Sequence, residues 1–502
     1  MPHSIILQLS GGPVPVYALR LMDRLKENGI PDVSVLFGKE RQPVPADFPR
    51  SWQSPSTLDS SWLPPVDSVK YREEDTYVVQ LSTEAAQDAQ IRSRFTFRCS
   101  LFDGAAGPFF PEMIHAMLKD EGYFEFNVVA TDTASGQSYV LTGCSKLIAH
   151  SYQQSLELAI ETAINLLEKL IAQIDSAIVR PSTPDDQPYK FETKHRLHTS
   201  ILKTVIKKVN RAKIKKRLRQ TFFIERWNIG IIDAPIHEVA LSKNVNWEVK
   251  WLREKNGSDF RADPFGISTS SGTHLLFELM RDSRGQINVL ENGAREKVLI
   301  ENKSHLSYPY TFTADGITFI VPECSETEGV RIYPIESKSL QPGTPIDLKI
   351  ELQAVDPSII HHDGRWWIFC TDRTRKGADT RLHIFFADQL RGPWVSHPMN
   401  PVKTDIRSAR PAGHLFIHNG SLYRPSQDSS KSYGGRIIIN RIDELSPERF
   451  SETAINVLSP ENFTGPYRLG THTISALGDK TCIDGKRSVF NPFAFKRFLS
   501  VT

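Results

Sequence analysis

The sequence predicts two structural halves: an α/β domain with a parallel sheet, then an all-β five-bladed β-propeller. Three observations predict this. Strand and helix patterns alternate over residues 1–180. After Trp227 a unit recurs with a polar-Pro opening, an apolar strand, a tight Gly turn and a second, aromatic strand. A Pro-rich break and a strongly basic segment, together residues 181–225, separate the two textures, leaving 226–502 for the propeller.

Length and composition are compatible with that division. The 502 residues allow two or three domains of about 100–200 residues each. With 39% hydrophobic and 24% charged residues, the chain can build well-buried cores, which excludes global disorder. No apolar run approaches the roughly 20 residues needed to span a bilayer. The opening Met1-Pro2-His3-Ser4-Ile5-Ile6-Leu7 lacks a basic leader, a long apolar stretch and a small-residue cleavage site, so a cytoplasmic location is expected. The cysteines, Cys99, Cys144, Cys324, Cys370 and Cys482, are far apart and form no CxxC pair. Buried free thiols are expected, rather than a zinc knuckle or a disulfide framework.

In the first half, Ile5–Leu9 is a short apolar strand and Gly11-Gly12-Pro13 a turn. Tyr17–Lys26 follows as a helix with Ala18, Leu19, Leu21, Met22 and Leu25 on one side. Asp32–Phe37 and Thr76–Leu81 are further strands, and the strand-helix-strand spacing suggests a Rossmann-like sheet. The Pro- and Ser-rich stretch Gln42–Asp67 reads as irregular surface. Phe124–Thr131 and Gln137–Thr142 read as a hairpin turning at Ser135-Gly136, and Gln153–Ile178 as a long helix. Pro181–Pro188 is the polar break.

Next comes the basic segment. Between Lys203 and Arg219 lie nine basic residues and no acidic one, whereas the rest of the chain carries 52 basic and 58 acidic residues. The body is therefore mildly acidic, and nucleic-acid binding is not expected, because no aromatic interleaving accompanies the charge. Ile201, Leu202, Val205, Ile206, Val209, Ile214 and Leu218 recur at near-helical spacing between the charges. Two readings stay open: a solvated linker helix packing one face on a domain, and an interfacial helix that meets an anionic membrane surface through residues 201–219.

The repeat in the second half is explicit. Arg261–Ile267 precedes His274–Glu278, and Leu306–Phe312 precedes Asp315-Gly316 and Ile317–Glu323. Val355–Ile360 precedes Asp363-Gly364 and Trp366–Cys370, and Ala409–Phe416 precedes Asn419-Gly420 and Leu422–Arg424. A weaker fifth unit is Gly470–Ile474, followed by Asp484-Gly485. A spacing of roughly 45–60 residues matches one four-stranded blade. Trp227–Ile232 is placed to close the ring by joining the last blade. The innermost strand of each blade lines the central channel, so polar residues repeating at its start converge on one funnel. Those residues are Asp263, Tyr308, Asp356, Arg410 and His472.

The motifs RADPF, LSYPYTF, PE, VDPSI and ARPAGHLF, over about Trp227–Arg487, resemble the five-bladed N-terminal domain of glucosamine inositolphosphorylceramide transferases. More distantly they look like glycoside hydrolase family 43. In the plant proteins the transferase chemistry is attributed to a C-terminal domain, so the resemblance implies a fold more strongly than an activity. The first half resembles the formyltransferase N-terminal fold on its opening strand and helix, Gly107-Pro108-Phe109-Phe110-Pro111-Glu112, and the hairpin-plus-helix. The His of an H-x-S-L-L-P-like stretch, which those enzymes use, is missing around Ser93–Gly104.

Cleaving or exchanging a glycosidic bond takes two carboxyl groups flanking it. The family-43 resemblance implies a base at Asp263, an orienting acid at Asp356 and an acid Glu. Glu323, after Pro322 at the end of a blade-two strand, is the acid candidate, with Glu278 the alternative in blade one. Arg410, Gln427 and Tyr433 offer a guanidinium fork, an amide and a phenol to a substrate, and His305, His397 and His472 are candidates to hold a sugar hydroxyl. Tyr308, and one of the adjacent Trp366 and Trp367, are candidates to stack on a sugar face. His361-His362-Asp363 lies in a turn with its histidines pointing apart, so no metal is expected. Walker, GxSxG and GxGxxG motifs are missing, and no cofactor is expected.

The sequence thus points to a carbohydrate-active enzyme, of glycoside hydrolase or glycosyltransferase type, in surface polysaccharide or glycolipid biosynthesis. Its partner would be a glycan, sugar nucleotide or glycolipid. The alternatives are a non-catalytic glycan-binding scaffold, and formyl or acyl transfer to an amino sugar by the first half.

Overall fold

A computed structural model describes residues 4–9, 14–30, 32–37, 57–58, 76–81, 93–102, 110–174, 178–179, 181, 199–255, 259–270, 272–291, 293, 295–324 and 328–491. The chain divides into two compact units, residues 1–216 and 217–502.

The first unit is built on a six-stranded mixed sheet. Its order is Asp32–Phe37, Ser4–Leu9, Thr76–Gln80, Phe95–Cys99, Tyr123–Asp132 and Ser138–Lys146. The first four strands run parallel, and the last two form an antiparallel hairpin on the sheet's edge. Helix Val16–Glu27 buries Leu21 and Leu25, and helix Tyr152–Gln173 buries Leu167 and Leu170, in one core with Phe97 and Val128. Ser151 caps the second helix by accepting the Gln154 N–H at 3.2 Å. The Rossmann-like and formyltransferase-like readings are not supported beyond this mixed sheet. Among the described residues only one helical crossover, Val16–Glu27, joins parallel strands. Gly107-Pro108-Phe109, nearly all of Gln42–Asp67, and Ser182–Pro188 lie outside the described residues.

The second unit is a five-bladed propeller. Blade one is Phe260–Thr269, Gly272–Arg281, Arg284–Glu291 and Arg295–Ile300. Blade two is Leu306–Ala314, Ile317–Cys324, Val330–Ile335 and Ile346–Leu348. Blade three is Ala354–His362, Arg365–Asp372, Arg381–Ala387 and Val395–Ser396, and Lys403–Thr404 also pairs with its third strand. Blade four is Phe416–His418, Ser421–Asp428, Arg436–Leu445 and Phe450–Leu458. In blade five, Ile474–Leu477 and Lys480–Phe490 come from the chain's end, whereas Phe223–Ile232 and Lys250–Trp251 come from the propeller's start. Thr481 pairs with Ile232 and Phe490 with Phe223, so the ring is closed by a long antiparallel ladder, as the placement of Trp227–Ile232 implied.

The turns follow from local chemistry. Asp315-Gly316, Asp363-Gly364 and Asn419-Gly420 hold positive φ at both positions, which is the type I′ hairpin geometry that Asp-Gly and Asn-Gly favour. Asp484-Gly485 is not the fifth such turn. It lies inside strand Lys480–Phe490, and the hairpin turns at Gly478-Asp479.

The channel ends of blades one to three share one local device. Asp263, Tyr308 and Asp356 each precede a proline, each have φ near +50° (50°, 48° and 49°), and each sit at a β-bulge. The left-handed conformation costs a non-Gly residue of order 1–3 kcal/mol, and it persists only where neighbours hold it. The bulge re-aims the side chain and frees the amide N–H from the ladder. Beneath these residues, buried rings fill the channel. Phe265 meets Tyr308 at 4.9 Å and His414 at 5.0 Å, and Tyr310 meets His414 at 5.1 Å.

Candidate active site

The three freed amides are each taken by an acid of the preceding blade. Asp263 N–H donates to Asp484 Oδ2 at 3.3 Å, Tyr308 N–H to Asp263 Oδ2 at 3.3 Å, and Asp356 N–H to Glu323 Oε2 at 3.1 Å. This relay builds a ring of five buried carboxyls from four blades: Asp263 and Glu278 of blade one, Glu323 of blade two, Asp356 of blade three and Asp484 of blade five. Glu278 and Glu323 occupy the same place in their blades, paired with the residue before the bulge, Ala262 and Ser307 respectively. Asp263, Glu323 and Asp356 are therefore brought together with the alternative, Glu278.

The members differ in protonation because their partners differ. Burial works against the Glu323 carboxylate, yet Arg410, the Asp356 carboxyl and amide, and Arg373 outweigh it and hold Glu323 below the usual range. Paired with two arginines, Glu323 is less suited than Glu278 to the proton-donor role expected for it. Burial pushes Asp356 well up, Arg410 opposes, and Glu323 adds to the rise. Its Oδ2 accepts from Arg410 Nε at 2.6 Å and from Gln427 Nε2 at 2.9 Å.

Glu278 is the clearest protonated acid. Burial raises it well above the carboxylate range, and Asp263, Glu323, Asp356 and Asp484 add to that. Its Oε1 makes no hydrogen bond among the described residues; it faces His305 Nε2 at 3.2 Å, outside bonding geometry. Gly285 N–H donates to His305 Nδ1 at 3.0 Å, so a neutral imidazole carries its proton on Nε2, toward Glu278. Burial lowers His305 and keeps it neutral. A Cβ on Gly285 would fall 2.5 Å from Glu278 Oε1 and 2.4 Å from Leu306 O, so glycine leaves the room this pair occupies.

At the other side of the ring, His472 lies between two acids, with Nδ1 at 2.5 Å from Asp484 Oδ2 and Nε2 at 3.5 Å from Asp263 Oδ1. Burial pushes its pKa down, but Asp484 and Asp263 outweigh it and raise it above the ordinary imidazole value, favouring the charged form. Burial raises Asp263, while His472 pulls it back toward the carboxylate. Ligand-type atoms of Asp263, His472 and Asp484 lie within 4.8 Å of one another. In this structure the two acids hold the imidazole between them. Asp484 Oδ1 already takes the N–H groups of His472 at 2.8 Å and Thr473 at 3.1 Å, and Asp263 Oδ1 takes the Thr473 hydroxyl at 2.7 Å.

The mouth is formed by less buried side chains. Arg410 Nη1 meets Asp379 Oδ1 at 2.7 Å, and its guanidinium lies 5.2 Å from the centre of the Tyr433 ring. Tyr433 is 42% exposed and stands edge-on to Trp227 at 6.4 Å. Trp227 in turn stacks on His472 at 4.1 Å. Gln427 spends both amide protons on Asp356 and on Pro411 O, leaving a buried Oε1 without a partner among the described residues.

Several expected substrate contacts are not in this place. Tyr308 is buried, and its hydroxyl takes Gly413 N–H at 2.7 Å and meets Ser358 Oγ at 3.0 Å. It ties blades two, three and four together beneath the acids and has no atom for a sugar. His397 bonds Ser446 O and Met399 N instead of entering the ring. Trp366 and Trp367 pair with His361 and Ile360, at the turn end of the strand, away from Asp356. Sequence reasoning missed Asp484, Arg373 and Asp379. Asp484 could have been found from its strand position, shared in kind with Glu278 and Glu323; Arg373 and Asp379 carry no comparable signal.

Residues 248–468 match the family model described as glucosamine inositolphosphorylceramide transferase 1, N-terminal. Glucosamine inositolphosphorylceramide transferase 1 of Oryza sativa subsp. japonica is 34% identical over 212 residues, covering 40% of this chain and 28% of that protein. The protein of the same name from Arabidopsis thaliana is 31% identical over 215 residues, covering 39% and 27%. The match thus spans little more than a quarter of those relatives' length. Among solved structures, an exo-β-1,3-galactanase from Clostridium thermocellum aligns at 11% identity and a TM-score of 0.34, covering 43% of this chain and 56% of that one. A thermostable family-43 glycoside hydrolase aligns at 15% and 0.34, covering 45% and 93%.

Proposed function

We propose that the propeller binds the sugar part of a glycan or glycolipid precursor and cleaves or exchanges a glycosidic bond there, as a step in glycolipid or surface-polysaccharide assembly. The observation that carries this reading is Glu278, a buried carboxyl whose Oε1 makes no hydrogen bond among the described residues and whose burial beside other acids pushes its pKa up. Such a bond needs one carboxyl to protonate the leaving oxygen and a second to act as base or nucleophile. Glu278 takes the first role and Asp263, opposed by the His472 imidazolium, the second. Asp356, clamped by Arg410 and Gln427, orients the substrate or tunes its neighbours. Tyr433, 42% exposed, gives the mouth an aromatic ring for the flat side of a sugar. The names of the relatives, transferases that act in glycolipid synthesis, support the substrate class.

A second reading is sugar binding without turnover. It is favoured by the arginines already seated on Glu323 and Asp356, which neutralise two of the acids internally. Formyl or acyl transfer by the first half has no such observation behind it. One experiment separates the readings. The full chain is assayed for turnover against a panel of nitrophenyl glycosides and sugar nucleotides, and for binding on a glycan array. Glu278→Gln and Asp263→Asn should each lower turnover by roughly 10²–10⁴-fold and spare binding. Wild-type binding with no turnover favours the second reading, and turnover unchanged in both variants sinks the first.

A further inference from the structure

We propose that the C-terminal half of the basic helix, with the strand it runs into, is a docking surface for an anionic lipid bilayer. The helix, Thr199–Phe222, has two distinct parts. In its first half Leu202, Val205 and Val209 are buried in the core of the first unit, and Lys208 Nζ reaches Leu118 O at 2.7 Å and Asp120 at 2.8 Å. Beyond Val209 the apolar anchoring stops, and Lys216 Nζ, at 2.9 Å from His150 Nε2, still reaches back to the body of the first unit. From Lys213 to Gln220 every residue is exposed, on all sides of the helix.

That exposure is unusual in what it leaves open. Ile214 is 61% and Leu218 52% exposed, one turn apart and so on one face. The chain continues into strand Phe223–Ile232, where Phe223 and Ile224 are exposed, as is Phe490 on the paired strand. The Phe223 and Phe490 rings meet edge-on at 5.8 Å. Of the twelve exposed large apolar residues among those described, four, Leu218, Phe223, Ile224 and Phe490, belong to this end of the second unit, and Ile214 stands one turn before Leu218 on the same helix, so this is not a random scatter. Arg211, Lys213, Lys215, Lys216, Arg217 and Arg219 flank Ile214 and Leu218 along the helix, and the next acid along the chain is Glu225, which pairs with Arg219 at 3.0 Å.

The combination selects the occupant. Phosphate groups of a nucleic acid would use the cations and leave Ile214, Leu218 and the two phenylalanines in water. An anionic bilayer uses both: headgroups meet the cations, whose apolar stems let them snorkel, while the apolar side chains enter the acyl boundary. Charge alone would not require the exposed rings, and apolar area alone would not require six cations. No helix among the described residues is long and apolar enough to cross a membrane, so this contact is at the surface. The proposal stands independently of the chemistry in the propeller.

The test is co-sedimentation of the full chain with phosphatidylcholine vesicles, with and without phosphatidylglycerol. About tenfold or more tighter binding to the anionic vesicles is expected, falling as salt rises. The double variant Ile214→Asp/Leu218→Asp and the triple variant Lys213→Glu/Lys215→Glu/Arg217→Glu should each lose most of that binding while melting at the wild-type temperature, because all five positions are exposed. Equal partition into neutral vesicles, or variants that bind like the wild type, would overturn the proposal. So would binding to duplex RNA or DNA that the triple variant loses and the double variant keeps. Self-association abolished by the double variant, with vesicle binding unchanged, would overturn it as well.

Discussion

The amide N–H of Tyr308 donates to Asp263 Oδ2 at 3.3 Å, across the boundary between blades one and two. Tyr308 is held at φ +48°, where a residue of its size is strained, and this bond is part of what holds it. Asp263 therefore has an architectural task besides any chemical one, since its other oxygen takes the Thr473 hydroxyl of blade five. The same carboxyl thus joins blade one to both of its neighbours in the ring.

A dissection of the two tasks follows. Asp263→Asn keeps an oxygen acceptor in place, whereas Asp263→Ala leaves the Tyr308 N–H and the Thr473 hydroxyl unpaired and buried. Urea unfolding should show the Ala variant less stable than the Asn variant by about 1–3 kcal/mol, while both lack turnover. Equal stability of the two would mean that the bond across the blades contributes nothing.

Glu278 sets a pH dependence of definite sign. Its folded pKa lies above the unfolded value of about 4.3. The stability linked to its proton is complete below that unfolded value and is lost as pH rises through the folded one. Glu278→Gln has no proton to lose. Melting temperatures measured at rising pH should therefore fall in the wild type relative to the Gln variant, until the folded pKa is passed. A wild type that instead gains on the variant with rising pH would show a carboxylate stabilised in place, and the proton-donor role would go with it.

The propeller was legible because it repeats. One Asp-Pro opening is a common turn former, but openings at Asp263 and Asp356, with Tyr308 between them, share one spacing and one hairpin, and spacing is what blade geometry dictates. The convergence of Asp263, Asp356, Arg410 and His472 followed from that register alone. The protonation pattern was not legible. Glu278 and Glu323 occupy equivalent strand positions, and it is Arg410, Asp356 and Arg373, the last flagged by no motif, that lower the pKa of Glu323, while nothing comparable among the described residues faces Glu278. Tyr308 misled for a related reason. Register places a residue at the channel, but depth within the channel depends on the rings packed below it. The first unit lacks internal repetition, so its strands could be recognised one by one, whereas the finer fold could not be read from them.

Tyr308 and Tyr433 then make opposite predictions from the same side-chain chemistry. Tyr308→Phe removes the hydroxyl that takes Gly413 N–H, and no water can replace it at a site this buried. The loss should be about 1–3 kcal/mol of stability with sugar binding unchanged, because the ring lies beneath the acids. Tyr433→Ala removes a half-exposed ring over Arg410 at the mouth. Its stability should stay within about 0.5 kcal/mol of the wild type, while affinity for a bound sugar drops roughly tenfold, the scale of one aromatic contact. Calorimetric melting and titration with a glycan identified on the array measure both quantities on each variant. If Tyr308→Phe weakens sugar binding at full stability, the floor of the ring is open to substrate and the buried hydroxyl has been assigned to the wrong task.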